Sequence, residues 1–207
     1  MGLSAAQLKA SLDALSEIEP AFAAARARIG DPPPRIRDRG YETMLRAIVG
    51  QQVSIKAAAS ILAKVEATAG GIDDPAKIAR TSDADLRAAG LSRQKILYVK
   101  SLAEEVLSGR LDFHDLPDDD EEAILAMTRV KGIGRWSAEV YLLFAEGRAD
   151  VWPAGDLAVQ VEVGRILGLE DRPTEKLVRE LAEAWRPHRG AAAIFAWHHR
   201  HMEDALP

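Results

Sequence analysis

Apolar residues recur at helical spacing along nearly the whole chain, and no segment of four or more residues alternates cleanly between apolar and polar side chains. Such alternation marks a half-buried β-strand, whereas spacings of three and four residues mark one face of an α-helix. Between Tyr41 and Gly50, for example, Met44, Ile48 and Val49 would share one helical face. The pattern therefore predicts an all-α fold.

The composition limits what the chain can bind and where it can act. With 207 residues it can bury one sizeable core, which can divide into two lobes. No apolar run approaches the roughly 18 residues needed to span a membrane, and the first residues lack the basic and apolar regions of a secretory signal. The absence of cysteine excludes disulfides, cysteine-ligated zinc and iron–sulfur clusters. We therefore expect a cytoplasmic protein with no cofactor and no membrane partner.

A proline-rich stretch divides the sequence near residue 40. Ser4 and Pro20 can each open a helix, and the three prolines after Asp31 end the second of these helices. The residues that follow, as far as Gly40, are expected to form an extended, basic linker. Residues 1–40 are thus predicted as N-terminal helices and a linker, and residues 41–207 as the core of the protein.

A turn with two glycines stands between two predicted helices, within residues 130–136. Paired glycines let the backbone take φ > 0 and let another backbone approach closely. The helix that follows offers unpaired N–H groups and the positive end of its dipole, which together suit a phosphate. The turn can also be a simple connection between helices. Its residues are Lys131, Gly132, Ile133, Gly134 and Arg135.

Asp156 stands directly before another apolar-periodic segment. Taken alone, it is predicted to cap the helix that follows. A helix start also favours an ionised carboxylate, and such an anion can stabilise the sugar cation that develops when a glycosidic bond is hydrolysed. The capping and catalytic roles are compatible.

The two-glycine turn, with Asp156 about two dozen residues later, resembles the helix-hairpin-helix DNA glycosylase (HhH-GPD) superfamily. The stretch Gly-Ile-Gly-Arg-Trp-Ser-Ala is most similar to its alkyl-purine branch, that of 3-methyladenine DNA glycosylase II. The resemblance spans residues 41–197 and implies a two-lobed helical fold with the active-site cleft between the lobes. Bacterial members of the branch carry a β-containing domain before this region, so a compact form is expected here.

The resemblance implies roles for the hairpin and for the loop at Asp156. The hairpin is expected to bind the DNA backbone, and the carbonyls of Arg129 and Gly132 are expected to be able to hold a monovalent cation. No metal ligation by side chains is expected. Relatives often have two acidic residues at the loop, of which the second is catalytic. Because the first is Gly155 here, Asp156 is the catalytic candidate.

The residues Gln51 to Ser54 interrupt the helical pattern between two apolar faces. They can form a structural turn that Ser54 caps. In similar glycosylases the motif Gly-Gln-x-Val-Ser lies on the cleft, and its x residue wedges into the gap left by the extruded base. Gln52 is therefore the predicted wedge, and Gln51 and Ser54 are predicted to contact DNA beside it.

The aromatic residues bear on both mechanism and substrate. Trp136 stands where similar enzymes with lyase activity carry a nucleophilic lysine, and an indole cannot form a Schiff base. The resemblance therefore implies a monofunctional enzyme. The pocket for the extruded base is predicted from Trp197, Trp136, Tyr141 and Trp152, with a packing role as the alternative for Tyr141, whereas Trp185 is predicted to lie in the core.

Together these features predict a monomeric, nucleoid-associated DNA glycosylase of base excision repair. It would bind double-stranded DNA that contains damaged bases, flip out alkylated purines such as 3-methyladenine and 7-methylguanine, and hydrolyse their N-glycosidic bond. The alternatives are a related glycosylase for another damaged or mispaired base and a non-catalytic DNA-binding module. The net charge of −5 argues mildly against a large electrostatic grip on DNA. The nearby histidines at 198, 199 and 201 are expected at a solvated or DNA-facing helix end.

Overall fold

The computed structural model describes residues 2–203, and every regular element in that range is helical. The α-helices are α1 (Ala5–Ile18), α2 (Pro20–Ile29), α3 (Tyr41–Gly50), α4 (Ile55–Ala69), α5 (Pro75–Arg80), α6 (Asp83–Ala88), α7 (Arg93–Leu107), α8 (Asp120–Thr128), α9 (Arg135–Tyr141), α10 (Leu157–Leu167), α11 (Glu175–Ala182) and α12 (Arg189–Glu203). A π-helix (Leu142–Glu146) continues α9, and a short 3₁₀ helix (Glu183–Trp185) continues α11. The predicted all-α fold is confirmed. None of the described helices is long and apolar enough to cross a membrane.

Side-chain caps explain where many of these helices begin. A helix start leaves backbone N–H groups without partners, and a serine, threonine or aspartate oxygen can accept from one of them. Ser4 forms a full capping box with Gln7 at α1, and Ser92 accepts from the amide of Lys95 at 3.1 Å at α7. Ser54 caps α4 in the same way, at 3.2 Å from the amide of Ala57.

The chain forms two compact units, which confirms the two-lobed character of the predicted fold. One unit takes in the chain up to Arg37 and from Glu139 onward, and the other runs from Asp38 to Ala138. This grouping differs from the sequence-based division at residue 40, because the N-terminal helices join the C-terminal ones. The cause is packing: the ring of Phe22 lies 5.1 Å from that of Trp185 and 5.8 Å from that of Phe195. Trp185, with 1% of its surface exposed, is a core residue as predicted.

The unit from Asp38 to Ala138 is built around α7, which packs against α3 and α5. Its buried side chains are mostly aliphatic and come from most of its helices; they include Leu45, Ile48, Val65, Ile78, Leu86, Val99 and Leu102. At the end of α3, the Lys95 ammonium donates a hydrogen bond of 2.6 Å to the carbonyl of Val49. Partial burial lowers the pKa of Lys95.

In the other unit, a chain of hydrogen bonds centred on the buried side chains of Glu162 and His199 joins α10 to α12. The Nδ1 of His199 lies 2.8 Å from the Oε2 of Glu162, whose other oxygen accepts from Arg165 at 2.9 Å. Arg28 approaches the Nε2 of the same histidine at 3.3 Å, and because a guanidinium can only donate, Nε2 accepts and Nδ1 donates to Glu162. His199 is 3% exposed. The expectation that this histidine lies at a solvated or DNA-facing end was therefore wrong. Its side chain is buried and hydrogen-bonded to Glu162, which is distant in sequence.

Candidate functional site

The hairpin between α8 and α9 is anchored by residues of its own unit. Ile133 is buried and its amide donates to the carbonyl of Val130 at 3.1 Å. The amide of Lys131 donates to the hydroxyl of Ser101 on α7 at 3.0 Å. The Lys131 side chain and Gly134 are exposed. The hairpin is thus anchored on one side by Ile133 and Ser101. On the other side it exposes the backbone at Gly134 and the positively charged side chain of Lys131.

The two hairpin glycines have different structural roles. Gly132 has φ +87°, and a Cβ atom there would lie 2.2 to 2.5 Å from three ring atoms of Tyr98. Gly134 lies outside the left-handed region, and a Cβ there would meet no atom within 4 Å. Only Gly132 uses the φ > 0 that the paired glycines allow. The open space at Gly134, beside the first turn of α9, is what a closely approaching phosphate needs.

Gln51 joins the turn after α3 to the hairpin. Its side-chain amide donates to the carbonyl of Gly132 at 3.0 Å. A carbonyl oxygen has two lone pairs, so this bond still leaves one for the monovalent cation predicted at Arg129 and Gly132, and that site stays a prediction. The described side chains contain no group of three or more histidine, aspartate or glutamate residues that could hold a metal ion.

Gln52 has an unusual backbone. Its φ of +54° makes it the one non-glycine residue with positive φ between residues 2 and 203, and its side chain is exposed. Non-glycine residues rarely adopt this backbone conformation, and where they do, the strain is often found at a functional site. A cavity of about 360 Å³ opens beside it, lined among others by Gln51, Gln52, Tyr98 and Gly132. A strained turn that presents an exposed polar side chain suits a wedge, and the wedge role of Gln52 stays a prediction.

The first turn of α9 carries Arg135 and Trp136. Arg135 forms a two-pronged ion pair with Glu121, with 2.7 Å between Nη1 and Oε2. This ion pair partly offsets the positive charge of Arg135, which its sequence position did not reveal, and its predicted contact with DNA stays a prediction. Trp136 is 48% exposed, so its indole is accessible to a ligand of the hairpin unit.

In the other unit, Asp156 is held rigidly at the start of α10. Its Oδ1 accepts from the amide of Val159 at 3.0 Å, which confirms the predicted cap. The loop before it is fixed by its own hydrogen bonds: the amide of Asp156 donates to Pro153 at 2.9 Å, and the buried side chain of Gln160 donates to Ala154 at 2.8 Å. A partly buried carboxylate fixed by such hydrogen bonds is pre-organised for electrostatic stabilisation.

The predicted pocket aromatics of this unit fall into two groups. Trp197 is partly buried, and its ring lies 5.5 Å from that of Phe144, over which the guanidinium of Arg37 sits at 5.8 Å. Trp152 is buried, and its Nε1 donates to the carbonyl of Val178 at 3.3 Å. Tyr141 is buried as well. The geometry of Trp152 is that of a packing residue, and the roles of these side chains in a base pocket stay predictions.

Sequence reasoning missed several residues that shape the site. Tyr98 and Ser101 support the hairpin from α7, and nothing in their local pattern distinguishes them from other residues of that helix. Phe144, whose ring lies beside that of Trp197, belongs to the π-helix that continues α9. Such widened turns occur often at functional sites, but no local sequence signal marks this one.

A supported two-glycine hairpin, followed in the chain by a loop that ends in a capping aspartate, defines the helix-hairpin-helix class of DNA repair proteins. The family model described as "HhH-GPD superfamily base excision DNA repair protein" matches residues 45–187, and the chain belongs to this family.

Within this family, the proteins to which the chain is similar include DNA-3-methyladenine glycosylases. The chain is 34% identical over 168 residues to DNA-3-methyladenine glycosylase 1 of Schizosaccharomyces pombe, which covers 79% of this chain and 74% of that protein. Among solved structures, it is similar to a DNA-3-methyladenine glycosidase of Bacillus halodurans, with a TM-score of 0.83, 32% identity, and coverage of 90% of this chain and 87% of that one. It is also similar to a 3-methyladenine DNA glycosylase of S. pombe in complex with abasic DNA, with a TM-score of 0.74, 30% identity, and coverage of 90% and 94%.

Proposed function

We propose that the protein is a monofunctional DNA glycosylase of base excision repair that removes alkylated purines, such as 3-methyladenine and 7-methylguanine, and leaves an abasic site. Its family membership and its similarity to DNA-3-methyladenine glycosylases support a base excision repair enzyme for alkylated bases that binds DNA. Activity on duplex DNA by base flipping, a monomeric state and a nucleoid-associated, cytoplasmic location are the finer parts of the proposal.

The observation that carries the proposal is the carboxylate of Asp156, held at the start of α10 by the amide of Val159. An alkylated purine of this kind bears a positive charge and departs as a neutral base without being protonated. The enzyme must then stabilise the sugar cation and guide a water molecule, which one ionised carboxylate can do. A cationic base also stacks well on an electron-rich indole, which fits Trp197 and Trp136.

The test is Asp156→Asn, compared on duplexes that contain cationic 7-methylguanine or neutral hypoxanthine. Asparagine caps a helix about as well as aspartate, so the thermal unfolding midpoint should stay near that of the parent. Single-turnover excision should fall by about 10²- to 10⁴-fold on both substrates, since electrostatic and general-base contributions are of this size. The parent should release the cationic base faster.

Asp119→Asn is the matched control, because Asp119 also accepts from the third amide of its helix, α8, at 2.9 Å. It should excise at the parent rate. If Asp156→Asn also excised at the parent rate, Asp156 would not be the catalytic anion. If the parent bound DNA but released no base, the protein would be a non-catalytic binding module.

A further inference from the structure

A second carboxylate lies beside the loop that Asp156 ends. Gly155 is exposed and lies outside the left-handed region of backbone conformation. A Cβ built on it would have the Oε2 of Glu175 as its nearest neighbour at 3.6 Å, followed by the Cδ and Oε1 of the same group at 3.8 Å. The carboxylate of Glu175 therefore borders the space that a side chain at position 155 would enter.

An arginine fixes this carboxylate in place. Arg179, one turn further along α11, donates to the Oε1 of Glu175 from Nε at 3.1 Å and from Nη2 at 2.8 Å. The same guanidinium lies 3.7 Å from the Oε1 of Glu139, which is 2% exposed. One guanidinium thus contacts two carboxyl groups, and that of Glu175 is the one that lies next to the loop.

We propose that Glu175 supplies the catalytic loop with a second anionic charge, which adds to that of Asp156 in favouring the sugar cation and a cationic base. This inference rests on the proposed function of Asp156. Glu175 acts through the electrostatic field at Gly155 and exchanges no proton. Because its side chain is 52% exposed, solvent screens the charge, and we expect about a three- to tenfold effect on excision.

A glutamate in the first turn of a helix also stabilises that helix through the dipole, so loss of activity alone would not separate a field at the loop from a structural role. Moving the negative charge from position 175 to position 155 separates the electrostatic role from the structural one. When Glu175 is neutralised by Glu175→Gln, Gly155→Asp should restore a carboxylate beside the same loop. In the parent background it should add a second carboxylate on a Cβ that lies 3.6 to 3.8 Å from the Glu175 carboxylate group, and repulsion between the like charges should lower both stability and activity.

The experiment measures single-turnover release of 7-methylguanine and thermal unfolding for Glu175→Gln, Gly155→Asp and the double variant. Glu175→Gln should be three- to tenfold slower than the parent, in line with one screened charge. The double variant should recover most of that loss, whereas Gly155→Asp alone should be slower than the parent and unfold at a lower temperature. Glu180→Gln is the control, because it removes the same charge from an exposed acid on the same helix and should excise like the parent.

A parent-like rate for Glu175→Gln overturns the inference, and so does a loss that the double variant does not recover. Asp156→Asn is carried in the same series to keep two failures apart. If that variant stays active, the proposed function of Asp156 fails; if it is inactive while Glu175→Gln matches the parent, only the role of Glu175 fails.

Discussion

The two hairpin glycines offer a test in which neighbouring alanine substitutions should have opposite consequences. Gly132→Ala would place a side chain at φ +87°, where an L-residue costs about 1–2 kcal/mol. Its Cβ would also lie within 2.5 Å of three ring atoms of Tyr98, and overpacking of this kind costs about 1–3 kcal/mol. The combined loss of about 2–5 kcal/mol is a large part of the stability of an ordinary domain.

Gly134→Ala should leave folding nearly unchanged. Its Cβ would meet no atom within 4 Å and its φ is not left-handed, so the change in stability should stay within about 1 kcal/mol and can be favourable. The methyl group would, however, stand where a phosphate must approach the first turn of α9. Loss of one hydrogen bond to a charged group is worth about 1.5–3 kcal/mol, or roughly 10- to 150-fold in affinity.

Denaturant unfolding and fluorescence anisotropy with labelled duplexes measure the two effects separately. Gly132→Ala should shift the unfolding transition, and Gly134→Ala should weaken binding equally for undamaged and lesion-containing DNA, because a backbone contact carries no sequence information. If Gly134→Ala bound DNA as tightly as the parent, the hairpin would not be the backbone anchor. A weakening confined to lesion DNA would place Gly134 at the damaged base instead.

Two further predictions concern the wedge and the chemistry. Gln52→Ala should slow excision from duplexes far more than from single strands, because a wedge assists extrusion only where a base must leave a stack; equal losses would make this turn purely structural. Trp136 cannot form a Schiff base, so borohydride should trap no covalent complex with lesion DNA, and a trapped adduct would refute monofunctional chemistry.

Local rules were sufficient for the helices and their caps. The cap of Asp156 depends on atoms within three residues of it, and the apolar face of α3 follows from its spacing alone. Such features are encoded within one or two helical turns, so they can be predicted from one sequence. The role of Trp185 followed from its residue type, because tryptophan side chains are highly buried on average.

Contacts between segments that are distant in the chain could not be predicted from the sequence. The ring of Tyr98 that makes Gly132 necessary lies 34 residues away from it in the chain. The buried pair of His199 with Glu162 spans 37 residues, and the carboxylate of Glu175 reaches Gly155 across a loop and the whole of α10. Each of these pairings is set by how helices pack, and helical periodicity gives the face of each helix but not its partner.

The π-helix that follows α9 has a consequence for evolutionary comparison. In a regular α-helix each residue turns the chain by about 100°, whereas a π turn holds one residue more. The segment Leu142–Glu146 therefore acts as a one-residue insertion that the helix absorbs without a loop. A homologue with an uninterrupted α-helix here would align with a single gap inside this segment. Without that gap, the residues compared beyond it would face directions about one quarter turn apart. The alignment phase around Phe144 thus decides whether two members of the family present the same aromatic face beside Trp197.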